Sequence, residues 1–388
     1  MTPRTYTIGL FTALALVVGV VAAFNRVVDP FWYYRDVEIA GFNADKPRFA
    51  RFEQHVKPQL LAREQPQAIV LGSSLAEIGF DANDPSLTDG GRLKGYNFAF
   101  AGVDWAETQC YFLYALDATD LKRAVIGIHP GSLPRVDCAR QRAEIADFSQ
   151  VQLLLSLRTL QNSVRTVLEQ GAARASHTRE GRYLYTRGVP GTAARFGAFF
   201  RGRAKQGCTA EQVPATPPPG EGLGGMAATV EPDLEGLRVV IRAAREKGVA
   251  LRLFAYPHHA LALELDFLCG EFAARWVALA AIARLVEEEA PDGSVQLWAF
   301  YDYNAVTGER VIGREPLYWQ DPDHFNHEMG ALLLADLFGT PSRQGFGRRL
   351  TAANLAETQR ALRASRARFL AAQPAFYDDL RATIAPLR

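Results

Sequence analysis

Apolar and polar positions follow two different rhythms along this chain. The first is an unbroken apolar run from Ile8 to Phe24, IGLFTALALVVGVVAAF, with no charge in it. With Tyr6 and Thr7 added, it is just long enough to cross a bilayer as a helix. Arg4 precedes it, so the N-terminus is expected to stay cytoplasmic and the remainder to be exported. No polar face interrupts the run, which argues against a buried core helix. An uncleaved anchor is the expectation, and Val21-Ala22-Ala23 near its end makes a cleaved signal peptide the rival. Asp29-Pro30-Phe31-Trp32-Tyr33-Tyr34 then reads as an aromatic belt at the membrane interface.

The second rhythm is an alternation of short, β-branched apolar runs with stretches of helical period. Ala68 to Leu71, Gly95 to Gly102, Arg123 to Ile128, Val249 to Ala255 and Val295 to Phe300 read as strands. Helices are expected over Trp105 to Leu116 (capped by Asp104), Leu234 to Lys247 (stopped by Gly248), Phe272 to Glu289 and Met329 to Phe338. Lys46 to Gln67 is a mixed-charge, partly helical approach. This alternation predicts an α/β fold with a mainly parallel five-stranded sheet between helices.

The alternation lapses between about Leu133 and Glu231. Val151 to Leu168 carries Leu153, Leu154, Leu157, Leu160, Val164, Val167 and Leu168 at helical spacing, and so predicts one amphipathic helix. Arg174 to Gly207 is basic and glycine-rich, and Ala215 to Gly225 is a Pro/Gly loop. The whole stretch reads as an insertion or cap. Ala352 to Leu370, with Arg360, Arg363, Arg366 and Arg368, is an amphipathic tail expected to pack on the domain, the alternative being anionic lipid. The expected divisions are an anchor (1–34), a core in two parts (35–132 and 232–340), the insertion (133–231) and the tail (341–388).

A net charge of +1 over 388 residues gives no electrostatic reason to propose nucleic acid as a partner. Cys110, Cys138, Cys208 and Cys269 show no CxxC spacing, which argues against a zinc site. In an exported protein a Cys138–Cys208 disulfide would close the insertion; four buried free thiols are the equal alternative. The arginines at 179, 182, 187, 195, 201 and 203 make the insertion basic. A solvated surface is the default for them, and an anionic glycan would also suit it.

Two stretches carry chemistry. Ala68-Ile69-Val70-Leu71 stops at Gly72-Ser73-Ser74-Leu75, which places hydroxyls at the C-terminal edge of a sheet, where ligands bind in open α/β folds. Helix capping is the ordinary reading of such serines. The second stretch is Asp321-Pro322-Asp323-His324-Phe325-Asn326, just before a helix. A serine hydroxyl needs a base, and a histidine serves if a carboxylate holds its other ring nitrogen. Asp321 and His324 supply both from one loop. Alternatives are a simple capping turn, or a metal loop made by Asp321, Asp323, His324 and His327. His258 and His259 follow the fourth strand, and Tyr301, Asp302 and Asn304 the fifth, so all lie near the same edge; the ordinary reading of the two histidines is a polar loop with no catalytic part, the alternative being that one lines the pocket. Glu309 and Trp319 are further candidates for shaping a cleft.

These motifs resemble the SGNH (GDSL-type) hydrolases. Gly72-Ser73-Ser74-Leu75 matches that family's Gly-Asp-Ser-Leu block with Ser73 in place of Asp, which points to Ser74 as nucleophile. Asn97 to Gly102 has the spacing of the second block, whose glycine amide serves the oxyanion hole. Asp321, His324 and Asn326 fit the last block. The third block departs, because His129 stands where the family has an oxyanion-hole asparagine. The resemblance implies a Ser74–His324–Asp321 triad and an oxyanion hole from Ser74, Gly102 and His129. Asn97, His258, His259 and Asn304 are expected as substrate contacts, with neither metal nor organic cofactor. The anchored form is most similar to bacterial envelope proteins related to alginate O-acetyltransferases. It implies a single-pass inner-membrane protein with its catalytic domain in the periplasm or outside the cell, moving or removing an acyl group on an envelope polysaccharide, with a membrane-bound acyl-donor protein as a further partner. A catalytically idle fold that binds glycan or scaffolds an export system is the alternative.

Overall fold

The short apolar runs become strands of one sheet in a computed structural model, which describes residues 2–171, 176–184, 192–205, 213–214, 231–311, 315–339 and 347–384. The chain opens with α1 (Pro3–Val28) and α2 (Glu53–Glu64), then β1 (Ala68–Leu71), α3 (Ser74–Gly79), β2 (Gly95–Asn97), α4 (Trp105–Ala118) and β3 (Arg123–Ile128). The insertion contributes α5 (Ala139–Ala146), α6 (Gln150–Leu155), α7 (Leu157–Leu168) and α8 (Thr192–Lys205). Next come α9 (Glu235–Glu246), β4 (Ala250–Ala255), α10 (Ala260–Leu268), α11 (Glu271–Glu289) and β5 (Val295–Ala299). The chain closes with α12 (His327–Leu337), β6 (Arg348–Leu350), α13 (Leu355–Ala372) and α14 (Phe376–Ile384).

The sheet has six strands in the order β2-β1-β3-β4-β5-β6. Strands β1 to β5 run parallel, as the alternation predicts, and β6 pairs antiparallel with β5. Ile69, Val70, Val125, Ile126, Leu253 and Phe254 are fully buried, because helices cover both faces of a parallel sheet. The five-strand expectation misses β6, Arg-Arg-Leu with both arginines exposed. It is too short and too charged to show a period, and those same traits suit a sheet edge. The strand order reverses between β1 and β3, and a crevice forms outside the C-terminal ends of strands at such a switch point.

Among the described residues one helix, α1, is long and apolar enough to cross a membrane. Its 26 residues span about 39 Å. Of the aromatic belt expected after it, Phe31 and Trp32 turn inward while Tyr33 and Tyr34 stay half-exposed. The Asp29 carboxylate accepts the amides of Tyr33 (2.7 Å), Tyr34 (3.0 Å) and Arg35 (2.9 Å), so the chain curls. That turn throws Phe31 and Trp32 into the core, against Phe52 and Phe49.

The amphipathic stretch expected as one helix is two, α6 and α7. Ser156 between them is extended, and its hydroxyl caps α7 by accepting the Thr159 amide at 3.1 Å. Gly270, at φ +79°, similarly parts α10, which was not expected, from α11. Helix α13 packs on the domain as expected: buried Arg366 pairs with buried Glu264, whose carboxylate also accepts the Tyr303 hydroxyl at 2.8 Å. The Pro/Gly loop, Arg187 and Cys208 lie outside the described residues.

Cys138 bonds to Cys110 across 28 residues, not to Cys208, and the free-thiol alternative falls as well, since Cys269 is also disulfide-bonded. Gln109 and Cys110 sit on α4, against which the first part of the insertion folds back; Gln109 donates to the Val136 carbonyl at 3.2 Å. Replacing Cys110 and Cys138 together with serine is expected to lower stability by about 3–4 kcal/mol through restored unfolded-chain entropy. Denaturant unfolding of the double variant against the parent measures it; an unchanged midpoint would contradict that account.

Candidate active site

Strand β1 ends at Gly72, whose φ of +137° favours glycine. A Cβ there would also overlap the Tyr256 hydroxyl, and a Cβ at Gly127 would overlap the Tyr256 ring. The bare ends of β1 and β3 thus open a slot for Tyr256, which follows β4. Its hydroxyl accepts the Ser73 amide at 3.0 Å and lies 3.4 Å from Ser73 Oγ. Burial pushes its phenol up to about 12, so it stays protonated. Tyr256 fixes the turn that presents Ser74. Sequence reading overlooked it; its signal is a strand-end tyrosine in a chain whose neighbouring strands end or pass through glycine.

The capping reading of the serines is not what forms. Ser73 precedes α3 but makes no side-chain cap bond, and Ser74 Oγ instead lies 2.9 Å from His324 Nε2. His324 Nδ1 lies 2.8 Å from Asp321 Oδ2 and 3.0 Å from Oδ1. Asp321 Oδ1 also accepts the amides of Asp323 (3.0 Å) and His324 (2.9 Å), which folds the loop tightly around the carboxylate. Asn326 accepts the Met329 amide at 3.2 Å and so starts α12. Two elements 250 residues apart reach this closeness through small residues. Phe325 fills the space a side chain on Gly79 would need, and Gly330 lets α12 approach the Gly79 carbonyl. Burial alone would lower the His324 pKa, but the hydrogen bond and charge of Asp321, with Asp323 adding, outweigh it and hold it above the ordinary 6.5.

Gly102 and His129 follow β2 and β3, at the same sheet edge. Gly102 is exposed, with φ +76°. The His129 ring leans on Tyr256 with centroids 4.8 Å apart. His129 is exposed in part of its surface, yet desolvation by the protein around it holds its pKa down to about 4, with the charge of Arg275 adding.

The four expected substrate contacts are each engaged within the protein. Asn97 is fully buried: its amide donates to the carbonyls of Ala76, Glu77 and Phe80, and its oxygen accepts the Ala99 amide. It therefore ties β2 to α3. His259 is buried at the start of α10, accepting the Leu261 amide and donating to the Glu309 carbonyl at 2.7 Å. Burial lowers its pKa to about 4 and keeps it neutral. Asn304 holds a turn through the amides of Val306 (2.8 Å) and Thr307 (3.0 Å). His258 is almost wholly buried: Arg275 donates to Nε2 at 3.0 Å, which leaves Nδ1 to donate to Asp323 at 2.8 Å. Tyr301 and Asp302 are likewise turned inward. Glu309 accepts the amides of Leu317 and Tyr318, and Trp319 donates to the Val306 carbonyl. These residues brace the loop behind Asp321 and His324.

The metal-loop reading does not hold either. Asp321 and His324 engage each other, Asp323 faces His258, and His327 faces Glu328 at 3.1 Å. The insertion's arginines are partly consumed within the protein. Arg195 is buried and donates to the Gln320 carbonyl at 2.6 Å, Arg203 pairs with Asp266 and Glu271, and Arg179 pairs with Glu38. Arg201 is exposed.

Beneath α3 lies a buried charged cluster that sequence reading did not find. Lys57 Nζ sits 2.6 Å from Glu77 Oε1 and 2.6 Å from the Ala99 carbonyl. His177 Nε2 lies 2.9 Å from both Glu77 and Glu53. The three ligand atoms of Glu53, Glu77 and His177 fall within 4.8 Å of one another. The Lys57 ammonium already supplies the cation, so the set does not fit a metal ion. Burial pushes Glu77 up, but Lys57 and the His177 bond outweigh it and hold its pKa at about 2. No protein-family model matches this chain, and no curated protein matches it.

Proposed function

We propose that this protein is an SGNH-type serine acyl hydrolase or O-acyltransferase, held at the membrane by α1 with its catalytic domain outside the cytoplasm. The observation that carries the reading is the continuous contact from Ser74 Oγ to His324 Nε2 and from His324 Nδ1 to Asp321, at the C-terminal edge of the sheet. The strand order 2-1-3-4-5 with its switch point beside Ser74 is that of flavodoxin-like sheets and supports it.

Ser74 attacks the ester carbonyl as His324 takes its proton, and a C–O bond forms to Ser74. The tetrahedral oxyanion is held by the amides of Ser74 and Gly102 and by the His129 ring, whose low pKa keeps it neutral near pH 7 with an N–H to donate. His324 returns the proton to the leaving alcohol as the ester C–O bond breaks. Water then releases the acyl group as acid, or a sugar hydroxyl takes it as a new ester, with His324 as base again. Asp321 orients the imidazole and stabilises its charged form. An acylated envelope polysaccharide is the substrate class that suits an anchored, outward-facing site, with an acyl-donor protein in the membrane as the source when the reaction runs as a transfer.

Turnover of p-nitrophenyl acetate by the full chain across pH tests the reading. His324 must be neutral to act as base, so kcat/KM is expected to fall as pH drops through a midpoint above 6.5, the side to which Asp321 moves it. A midpoint below 6.5, or a flat profile, would count against His324 as the base.

A further inference from the structure

Helix α7 is inside out. Its polar residues Thr159, Asn162, Ser163 and Thr166 are buried against the protein, Ser163 and Thr166 completely. Its apolar stripe faces away: Leu157 is 68% exposed, Leu168 75% and Val164 42%. On the preceding α6, Val151 and Leu155 are exposed as well. A helix folded against a protein in water turns its apolar stripe inward, and a contiguous exposed apolar face marks a surface that something covers.

Where this face sits identifies its cover. Asn25, in the last turn of α1, donates to the Leu154 carbonyl of α6 at 2.7 Å and accepts the Ser163 hydroxyl of α7 at 2.8 Å. The two helices are therefore fastened to the end of the apolar helix, and each carries exposed apolar residues. Val37 and Ile39, also exposed, are tied to the end of α1 through Asn43, which donates to the Val27 and Val37 carbonyls and accepts the Ile39 amide. Arg165 of α7 is exposed beside the stripe, where its stem can lie along apolar surface and its head reach phosphate groups, whereas Arg158 donates to the Arg51 carbonyl at 3.2 Å and lies over the Phe52 ring.

We propose that α6 and α7 form a second membrane contact, lying in the headgroup–acyl boundary of the bilayer beside the exit of α1. This rests on reading α1 as membrane-spanning. The contact adds a second attachment to the bilayer, and because α1 is itself fastened to α6 and α7 it restrains the tilt of the whole catalytic domain. Its chemistry is that of an interfacial amphipathic helix, buried roughly 5–10 Å into the boundary.

The test places an environment-sensitive fluorophore on single introduced cysteines of the full chain, which has no free cysteine among its described residues. The sites are Leu157→Cys and Leu168→Cys, with Leu14→Cys in α1 and Arg140→Cys on exposed α5 as references. Each protein is placed one copy per nanodisc of phosphatidylcholine and phosphatidylglycerol, with and without chain-brominated lipid. The labels at 157 and 168 are expected to lose about half or more of their emission to the brominated lipid, as does 14, while 140 keeps its own. Labels at 157 and 168 quenched by aqueous iodide and not by bromine would overturn the proposal while leaving α1 in the membrane. Shielding from both quenchers would overturn it in favour of a covering protein. Loss of bromine quenching at 14 as well would remove the reading of α1 on which it rests.

Discussion

Ser74→Ala is expected to lower kcat/KM for p-nitrophenyl acetate by roughly 10³- to 10⁶-fold, with the fold intact. The substitution removes one oxygen from a half-buried position at the start of α3, where alanine is a good helix former. The backbone that presents it is held by the Ser73 amide on Tyr256 and by Asn97 on the carbonyls of α3, and none of those bonds uses the Ser74 hydroxyl. The loss is therefore chemical. Ser73→Ala is the matched control and is expected to change the rate little, because the short bond at Ser73 is made by its amide and its hydroxyl lies 3.4 Å from Tyr256. Equal rates for Ser74→Ala and the parent, or a larger loss in Ser73→Ala, would displace Ser74 from the mechanism.

Lys57→Met is expected to destabilise the protein by about 3–5 kcal/mol, the usual cost of breaking a buried ion pair from one side. Lys57 is fully buried; its ammonium serves Glu77, Glu53 at 3.7 Å and the Ala99 carbonyl, and lies 5.0 Å from the centre of the Phe100 ring. Methionine keeps the stem and removes the charge, so two carboxylates remain in the core with no lysine. Lys57→Met combined with Glu77→Gln should recover part of the loss, since one of the orphaned charges goes too. The pH dependence follows from Glu77. Its folded pKa of about 2 lies below its ordinary 4.5, so its stabilisation is present above pH 4.5 and is lost as pH falls towards 2. Glu53, raised by burial, works in the opposite sense above its ordinary range. Denaturant titrations of the three proteins measure these effects; a Lys57→Met midpoint equal to the parent's would contradict the role given to the lysine. Because Glu77 is on α3 with Ser74, the cluster also holds the helix that carries the nucleophile.

The parallel core was legible because strands buried on both faces must be apolar runs, and Ala68 to Leu71, Arg123 to Ile128 and Val249 to Ala255 are such runs. Ser74, Asp321 and His324 were legible for a different reason: each sits at an abrupt change from an apolar strand or turn to a helix. Partners that depend on distant packing left no local trace. Asn97, His259 and Asn304 look like pocket residues from their places after strands, yet each satisfies buried backbone groups that only the folded chain reveals. Cys110 finds Cys138 because the chain after β3 returns over α4, a path no spacing encodes. Helix α7 was legible as amphipathic, but period alone does not say which face turns inward.

The central claim is that Ser74 is a nucleophile activated by His324. Intact-mass and peptide analysis after treatment with a fluorophosphonate tests it most directly. The account predicts one adduct per chain, on the peptide carrying Ser74, absent from Ser74→Ala and strongly slowed in His324→Ala. A folded protein that takes no adduct, or that takes the same adduct in Ser74→Ala, would contradict it.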